Sequence, residues 1–266
     1  MIHEIQEGYV KIDHDHGITS LEFYHPQSNA LPGKLLHELA QEIHIAGLDP
    51  KTKVIILRSA GDRAFCAGAA FEELESIQTE SEGTKFFSGF AEVINAMRKC
   101  PKFIIGRIQG KCVGGGVGLA AAVDYCIAWE KVEIRLSELA LGIGPFVIGP
   151  AVERKIGISA FSQLAIDATL WRNADWAKKK GLFAEVHESI ENMDHSINRL
   201  ALSLAHSNPD AMKEMKKSFW KGTEHWDELL HEKAAISGKL VLGDYTKEAI
   251  ARFRKARETQ KTKAPA

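Results

Sequence analysis

Long hydrophobic runs are missing from this 266-residue chain, and so is any strong excess of charge. No uninterrupted apolar stretch reaches the length a helix needs to cross a bilayer, so no membrane span is expected. Lys and Arg number 34 against 35 Asp and Glu, a formal net charge of −1. That balance offers no electrostatic footprint for nucleic acid or an anionic membrane surface. An anionic small ligand needs just a few local cations and stays open. Cysteine is scarce: Cys66, Cys100, Cys112 and Cys126 are widely spaced, form no CxxC pair, and read as reduced, mostly buried thiols of a cytoplasmic protein. The stretch MIHEIQEGYVKIDHDHG has no positive region leading into an apolar one, so no secretory leader is expected. With 45% hydrophobic and 26% charged residues, the chain suffices for one large domain or two small ones.

Three familiar catalytic signatures are missing too. The segment CVGGGVGLAAAVDYCIA (112–128) packs glycines ahead of an alanine run and carries one charge, Asp124. As a dinucleotide fingerprint it fails, because the third glycine counted from Gly114 and Gly116 is Leu119. A phosphate loop fails as well: three residues separate Gly106 from Gly110, and Cys112 stands where a Mg²⁺-binding hydroxyl belongs. No GxSxG elbow occurs, so a serine hydrolase has no nucleophile signature.

What the chain does carry is alternation of strand and helix patterns. YVKIDHDHGITSLEF reads as two strands around a turn, with His14 and His16 as solvated turn residues or, alternatively, metal ligands. PGKLLHELAQEIHIAGL repeats Leu35, Leu39 and Ile43 at helical spacing. KVIILRS and KFIIGRIQG are continuous apolar runs, as in strands buried on both faces. YCIAWE and VEIRLSE are strand-like, and GLAAAVDY is a short helix. Beyond Gly157 the pattern turns helical, with FSQLAIDA as one helix, Asn173 and Asn208 as N-caps, Pro209 at a first helical position and Gly181 as a stop. DYTKEAIARFRKARE closes as a basic amphipathic helix, and TQKTKAPA is expected to fray. The class is α/β with a helical C-terminal part, divided as a core over 1–200 and a helical region over 201–266. Trp220, Trp226, Leu229, Leu230 and Phe253 supply apolar surface with which 220–266 can leave the core for a neighbouring subunit.

Two segments share one chemical logic. A buried strand, a glycine turn and a small-residue helix expose free backbone N–H groups at a positive helix end. Such donors can hold a developing oxyanion. The glycine cluster is one; GDRAFCAGAAFEEL (61–74), turning at Gly68 and entering a helix at Ala69, is the other. Glu138 sits among Leu136, Leu139, Leu141, Ile143 and Phe146, where a carboxylate resists ionisation and suits proton transfer. Its plainer alternative is a solvated strand-end carboxylate. Asp124 reads as a capping or backbone-bonding group, with catalysis as the alternative. Phe146 and Val147, after Pro145, fill core or line a pocket. Arg254, Lys255 and Arg257 form a solvated face or meet phosphates.

In order, HPQSNAL, VIILRSAGDRAFCAGA, IQGKCVGGGVGLAAAVDYCIA, LSELALGIGP, KKKGLFAEV and SNPDAMKEMKK resemble the crotonase, or enoyl-CoA hydratase/isomerase, superfamily from about residue 8 to 258. The resemblance implies the ClpP/crotonase-like spiral of ββα units, two sheets and a helical C-terminal trimerisation region in a homotrimer or dimer of trimers. It implies an acyl-CoA thioester substrate, with coenzyme A as part of that substrate, no separate cofactor and no metal. The N–H groups of Ala69 and Gly115 would hold the thioester oxygen. Ala67, Gly68, Gly114, Gly118, Pro145 and Phe146 would bind substrate, and Glu138 would shuttle the proton. The hydratases' second glutamate is Gly118 here, and the Asp of many relatives is Ala70. The Gly118-containing pattern resembles methylglutaconyl-CoA hydratase-like members and single-glutamate isomerases alike. The expected activity is enoyl-CoA hydration or isomerisation in fatty-acid or branched-chain amino-acid breakdown. A decarboxylase or hydrolase on the same scaffold, and a non-catalytic CoA-ester-binding or RNA-associated relative, are the alternatives.

Overall fold

Alternation in Tyr9–Asp15 (β1) and Ile18–Tyr24 (β2) produces an antiparallel hairpin, turned by His16 and Gly17 at positive φ. The computed structural model describes residues 7–263, with side chains described through Lys255. The apolar runs become Val54–Ser59 (β3) and Phe103–Ile108 (β5), the latter buried along its whole length. With Tyr125–Trp129 (β7) and Glu185–His187 (β10) they complete a six-stranded sheet in the order β1-β2-β3-β5-β7-β10, parallel from β2 onward. Three short strands, Ala64–Cys66 (β4), Lys111–Val113 (β6) and Glu133–Arg135 (β8), run parallel in a second sheet, which Arg172–Asn173 (β9) closes antiparallel.

The chain therefore winds as the spiral that the resemblance implies. Each repeat lays a long strand in the first sheet and a short one in the second, then enters a helix: β3-β4, β5-β6, β7-β8. Because β4, β6 and β8 are neighbours in that order, the three segments that leave them lie side by side. This one topological fact assembles the site.

Among the helices, Gly33–Leu48 (α1) buries Leu35, Leu36, Leu39 and Ile43 as its spacing predicts. Phe71–Ser76 (α2) starts two residues after Ala69, where the sequence reading put its start. Glu80–Lys99 (α3) was not anticipated. A reciprocal capping box starts it: Glu82 N–H donates to Thr79 Oγ1 and Thr79 N–H to Glu82 Oε2, both at 3.2 Å. Gly115–Ala122 (α4) takes in the glycine cluster itself. Gly149–Ile166 (α5) begins well before FSQLAIDA, with Gly157 at φ 76° as a kink inside it rather than a start. Ala174–Lys179 (α6) is capped by Asn173 and stopped at Gly181. Ile190–Ala205 (α7) runs through position 200, the expected end of the core. Pro209–Phe219 (α8) is capped by Asn208; Trp226–Leu240 (α9) and Asp244–Lys263 (α10) follow. The helix α10 carries on through residues expected to fray, and 264–266 lie outside the described residues.

Trp226 and Leu230 are buried in the main core, with Trp220 and Leu229 packed against it. Those four side chains pack on the core of their own chain. The contact of α9 with α3 is close because glycines face each other: a Cβ on Gly83 would lie 2.7 Å from Gly238 Cα. No described helix is long and apolar enough to cross a membrane. All four cysteines are free and buried. Burial pushes the Cys66 and Cys126 thiols up to about 12, and Cys112 well above its ordinary value, so these thiols do not ionise near neutrality. His14 Nδ1 is 2.9 Å from Thr19 Oγ1, and His16 lies 3.5 Å from Asp15.

Candidate active site

Gly68 has φ 87°, and a Cβ there would stand 2.9 Å from Val113 O and 3.5 Å from Gly115 N. Glycine is required on both counts, and its bare Cα lets the loop after β4 touch the loop after β6. Ala69 is then held from both sides. Leu31 N–H donates to Gly68 O at 2.8 Å and Ala70 N–H donates to Leu31 O at 3.1 Å. In this parallel bridge the intervening Ala69 N–H takes no part, and it has no partner among the described residues.

The neighbouring loop is fixed in the same manner. Gly114, at φ 52°, donates its N–H to Arg135 O at 2.9 Å and accepts from Val117 N–H at 2.9 Å. Gly115 is the first residue of α4, so its N–H has no acceptor within the helix and none outside it among the described residues. Phe90 of α3 packs against Gly115, where a Cβ would fall 2.1 Å from the ring.

Glu138 follows β8 and caps a 3-10 turn over Leu139–Leu141 that ends on left-handed Gly142. Its carbonyl accepts from the N–H groups of Leu141 (3.0 Å) and Ile143 (2.9 Å), which fixes the backbone from which the carboxyl projects. A Cβ on Gly114 would stand 2.9 Å from Glu138 Oε1, so that missing side chain is the cradle of the carboxyl. Oε2 is sealed from solvent with no hydrogen-bond partner. Burial lifts the carboxyl to about 7, opposed by a backbone hydrogen bond at Glu138 and by the Arg135 charge. The apolar surroundings are real but differently composed: Leu136 and Ile143 are buried, whereas Leu139 turns to solvent. We expect Gly114→Ala to cost roughly 1–3 kcal/mol of stability, because φ 52° with ψ −117° is a conformation that side chains other than glycine rarely adopt. Displacing the Glu138 carboxyl should also lower turnover up to about 100-fold; unfolding curves beside kcat would register both.

Ala67, Gly68, Ala69, Gly114, Gly115, Glu138, Pro145 and Phe146 line one cavity of about 610 Å³, as does Val147. Gly118 does not. It lies buried inside α4, where a Cβ would come within 2.5 Å of Ile148 Cγ2, so the place of a second glutamate is filled by core. Asp124 also lies outside the lining. Its Oδ2 accepts from Ile104 N–H and Lys216 Nζ, both at 2.8 Å, and its Oδ1 from Trp220 Nε1 at 3.2 Å. Among the C-terminal cations, Arg254 lies 3.8 Å from Glu75, and the Arg257 side chain is outside the described residues.

The sequence reading missed several lining residues: Phe87 and Phe90 from α3, Arg135 and Trp171, and Ala249, Arg252 and Phe253 from α10. The capping box at Thr79 signals α3. For Arg135 a strand alternation was available, since Ile134 and Leu136 point into the core and Arg135 to the other face. No three His, Cys, Asp or Glu side chains gather as a metal site among the described residues.

The enoyl-CoA hydratase/isomerase family model matches residues 13–262. Mitochondrial methylglutaconyl-CoA hydratase of Mus musculus is 33% identical over 201 residues, 74% of this chain and 63% of that protein. A (7aS)-7a-methyl-1,5-dioxo-2,3,5,6,7,7a-hexahydro-1H-indene-carboxyl-CoA hydrolase of Mycobacterium tuberculosis is 26% identical over 207 residues, covering 76% of this chain and 80% of that one. Among solved structures, enoyl-CoA hydratase from Bacillus halodurans superposes with a TM-score of 0.84 at 20% identity, over 92% of this chain and 99% of that one, a likeness of fold.

Proposed function

The chain belongs to the enoyl-CoA hydratase/isomerase family, and from that premise we propose that it binds an acyl-CoA thioester and shifts the double bond of an enoyl group by moving one proton. The thioester oxygen sits between the free N–H groups of Ala69 and Gly115. Each donor directed at the developing enolate oxygen lowers the barrier by roughly 3–4 kcal/mol. The Glu138 carboxylate removes a proton from the carbon next to the C=O, and the electron pair delocalises into the thioester oxygen and the adjacent double bond. Glu138, now protonated, returns the proton two carbons further along. The double bond has moved into conjugation, and no atom has been gained or lost.

The observation that carries this reading is that Glu138 is the one carboxylate among the described residues lining the cavity. A group with pKa near 7 is half-ionised at neutral pH and can serve as base and then as acid. Hydration is the second reading, favoured by the 33% identity to a methylglutaconyl-CoA hydratase. It needs water positioned by main chain or by the substrate, since Gly118 provides no second carboxylate.

Incubation with 3-hexenoyl-, crotonyl- and 3-methylglutaconyl-CoA in heavy-oxygen water separates the readings. We expect an unlabelled 2-enoyl product from the 3-enoyl ester. Incorporated label would mean hydration, and release of free CoA thiol from any of the three would replace both readings with hydrolysis.

A further inference from the structure

The proton transfer leaves two charged residues of the cavity lining unused, Arg135 and Arg252. Arg135 ends β8 in register with Val113 of β6, and both line the cavity. Its guanidinium carbon lies 4.4 Å from the centroid of the Trp171 ring, a cation–π contact that takes up none of its N–H donors. Among the described residues those donors find nothing: Arg135 has no carboxylate within 4 Å and donates no side-chain hydrogen bond, and its Nε is sealed from solvent without a partner. The contrast with other covered arginines is sharp. Arg107 grips Asp194 through two bonds of 2.6 and 2.9 Å, and Arg98 reaches Asp227 at 3.0 Å.

An unpaired, half-buried cation is costly to maintain among apolar walls. Glu138 relieves it in part, by charge attraction across the cavity without a hydrogen bond. Its Oε2 is unpartnered as well, so two opposite charges share one cavity without touching. Both line the cavity that receives the acyl group in the proposed reading.

We propose that the acyl group carries a second carboxylate, received by the Arg135 guanidinium against Trp171, so that the substrate class is the mono-CoA thioester of a short unsaturated dicarboxylic acid. This rests on the acyl-CoA reading of the site. A guanidinium fork matches two carboxylate oxygens at once. A neutral acyl end, by contrast, covers those donors without answering them, so the same residue disfavours plain fatty acyl chains relative to dicarboxylic ones. Arg252 also lines the cavity, but it is exposed on α10 and lies 3.8 Å from Glu248.

Binding of saturated esters to the full chain tests this without depending on turnover. The probes are glutaryl-CoA, its terminal amide glutaramyl-CoA, and pentanoyl-CoA. The wild-type protein should bind glutaryl-CoA at least about 30-fold more tightly than either neutral ester, with a preference that weakens as salt is added. In Arg135→Met the ratio should collapse towards one, and Arg135→Lys should retain part of it. Equal affinities in the wild type overturn the dicarboxylate assignment while the CoA-ester reading stands. No binding of any ester overturns that reading itself. A preference that survives in Arg135→Met gives the carboxylate to another cation and refutes the role of Arg135. The wild-type comparison is decisive even where a variant folds poorly.

Discussion

Glu138→Gln should lower kcat by about a thousandfold, the scale of a positioned general acid–base, while the affinity for an unreactive acyl-CoA changes little. Glutamine keeps the shape of the side chain in the cradle over Gly114 and cannot take a proton. The same substitution should stabilise the fold, and the sign follows from where the proton is held. Burial keeps the Glu138 carboxyl at about 7 in the folded chain against 4.5 ordinarily. The folded state thus retains the proton over a pH range in which the unfolded chain has released it. Below about pH 4.5 both states are protonated, and wild type and variant are equally stable as far as this group is concerned. Between 4.5 and 7 the wild type loses roughly 3 kcal/mol relative to the glutamine protein, and above 7 the difference is constant. Denaturant unfolding at pH 4.5 and 8 measures it. The activity of the wild type should follow the same group, with kcat/KM falling as pH drops below about 7 because the base is lost. A glutamine variant with full turnover would end the assignment of the proton shuttle, and one that is no more stable at pH 8 would show that the carboxyl is not as dry as the structure makes it.

How much of this was legible from residues alone depended on range. KFIIGRI reads as a doubly covered strand because every side chain of Phe103–Ile108 meets a protein wall. Asn173 and Asn208 are readable as caps because the groups they satisfy lie two or three residues away. The two amide turns and Glu138 are readable in the same local way, as chemistry on short stretches. What no stretch contains is that β4, β6 and β8 are adjacent, which is the reason Ala69, Gly115 and Glu138 share one cavity. Gly118 shows the opposite failure. The resemblance marks it for the site, yet a Cβ there would run into Ile148, just ahead of α5, and nothing near it in sequence reveals that contact. Arg135 was hidden by its company: in VEIRLSE it resembles a solvated strand residue, and only the fold brings Trp171 across its face.

The second large effect lies away from the cavity and comes from Lys216, a buried lysine of α8. Replacing Lys216 by methionine should destabilise the fold by about 3–5 kcal/mol, the cost of leaving one member of a buried ion pair alone. Lys216 is 2% exposed, and its Nζ donates to Lys102 O at 2.7 Å and to Asp124 Oδ2 at 2.8 Å. Asp124 already accepts from Ile104 N–H, so one carboxylate joins the start of β5, the end of α4 and, through lysine and the Trp220 indole, the helix α8. Methionine fills the space of the alkyl stem, so the loss measures the charge rather than a cavity. Asp124→Asn added to Lys216→Met should restore part of the stability, because the remaining amide is neutral, whereas Asp124→Asn alone leaves the ammonium stranded. If the two single losses simply add, the pair is not coupled and the anchoring of α8 comes from apolar packing of Trp220 and its neighbours. Because neither residue lines the cavity, kcat/KM per folded molecule should hold while the unfolding midpoint falls. That separation distinguishes a pair that secures the helical C-terminal region from one that takes part in the reaction.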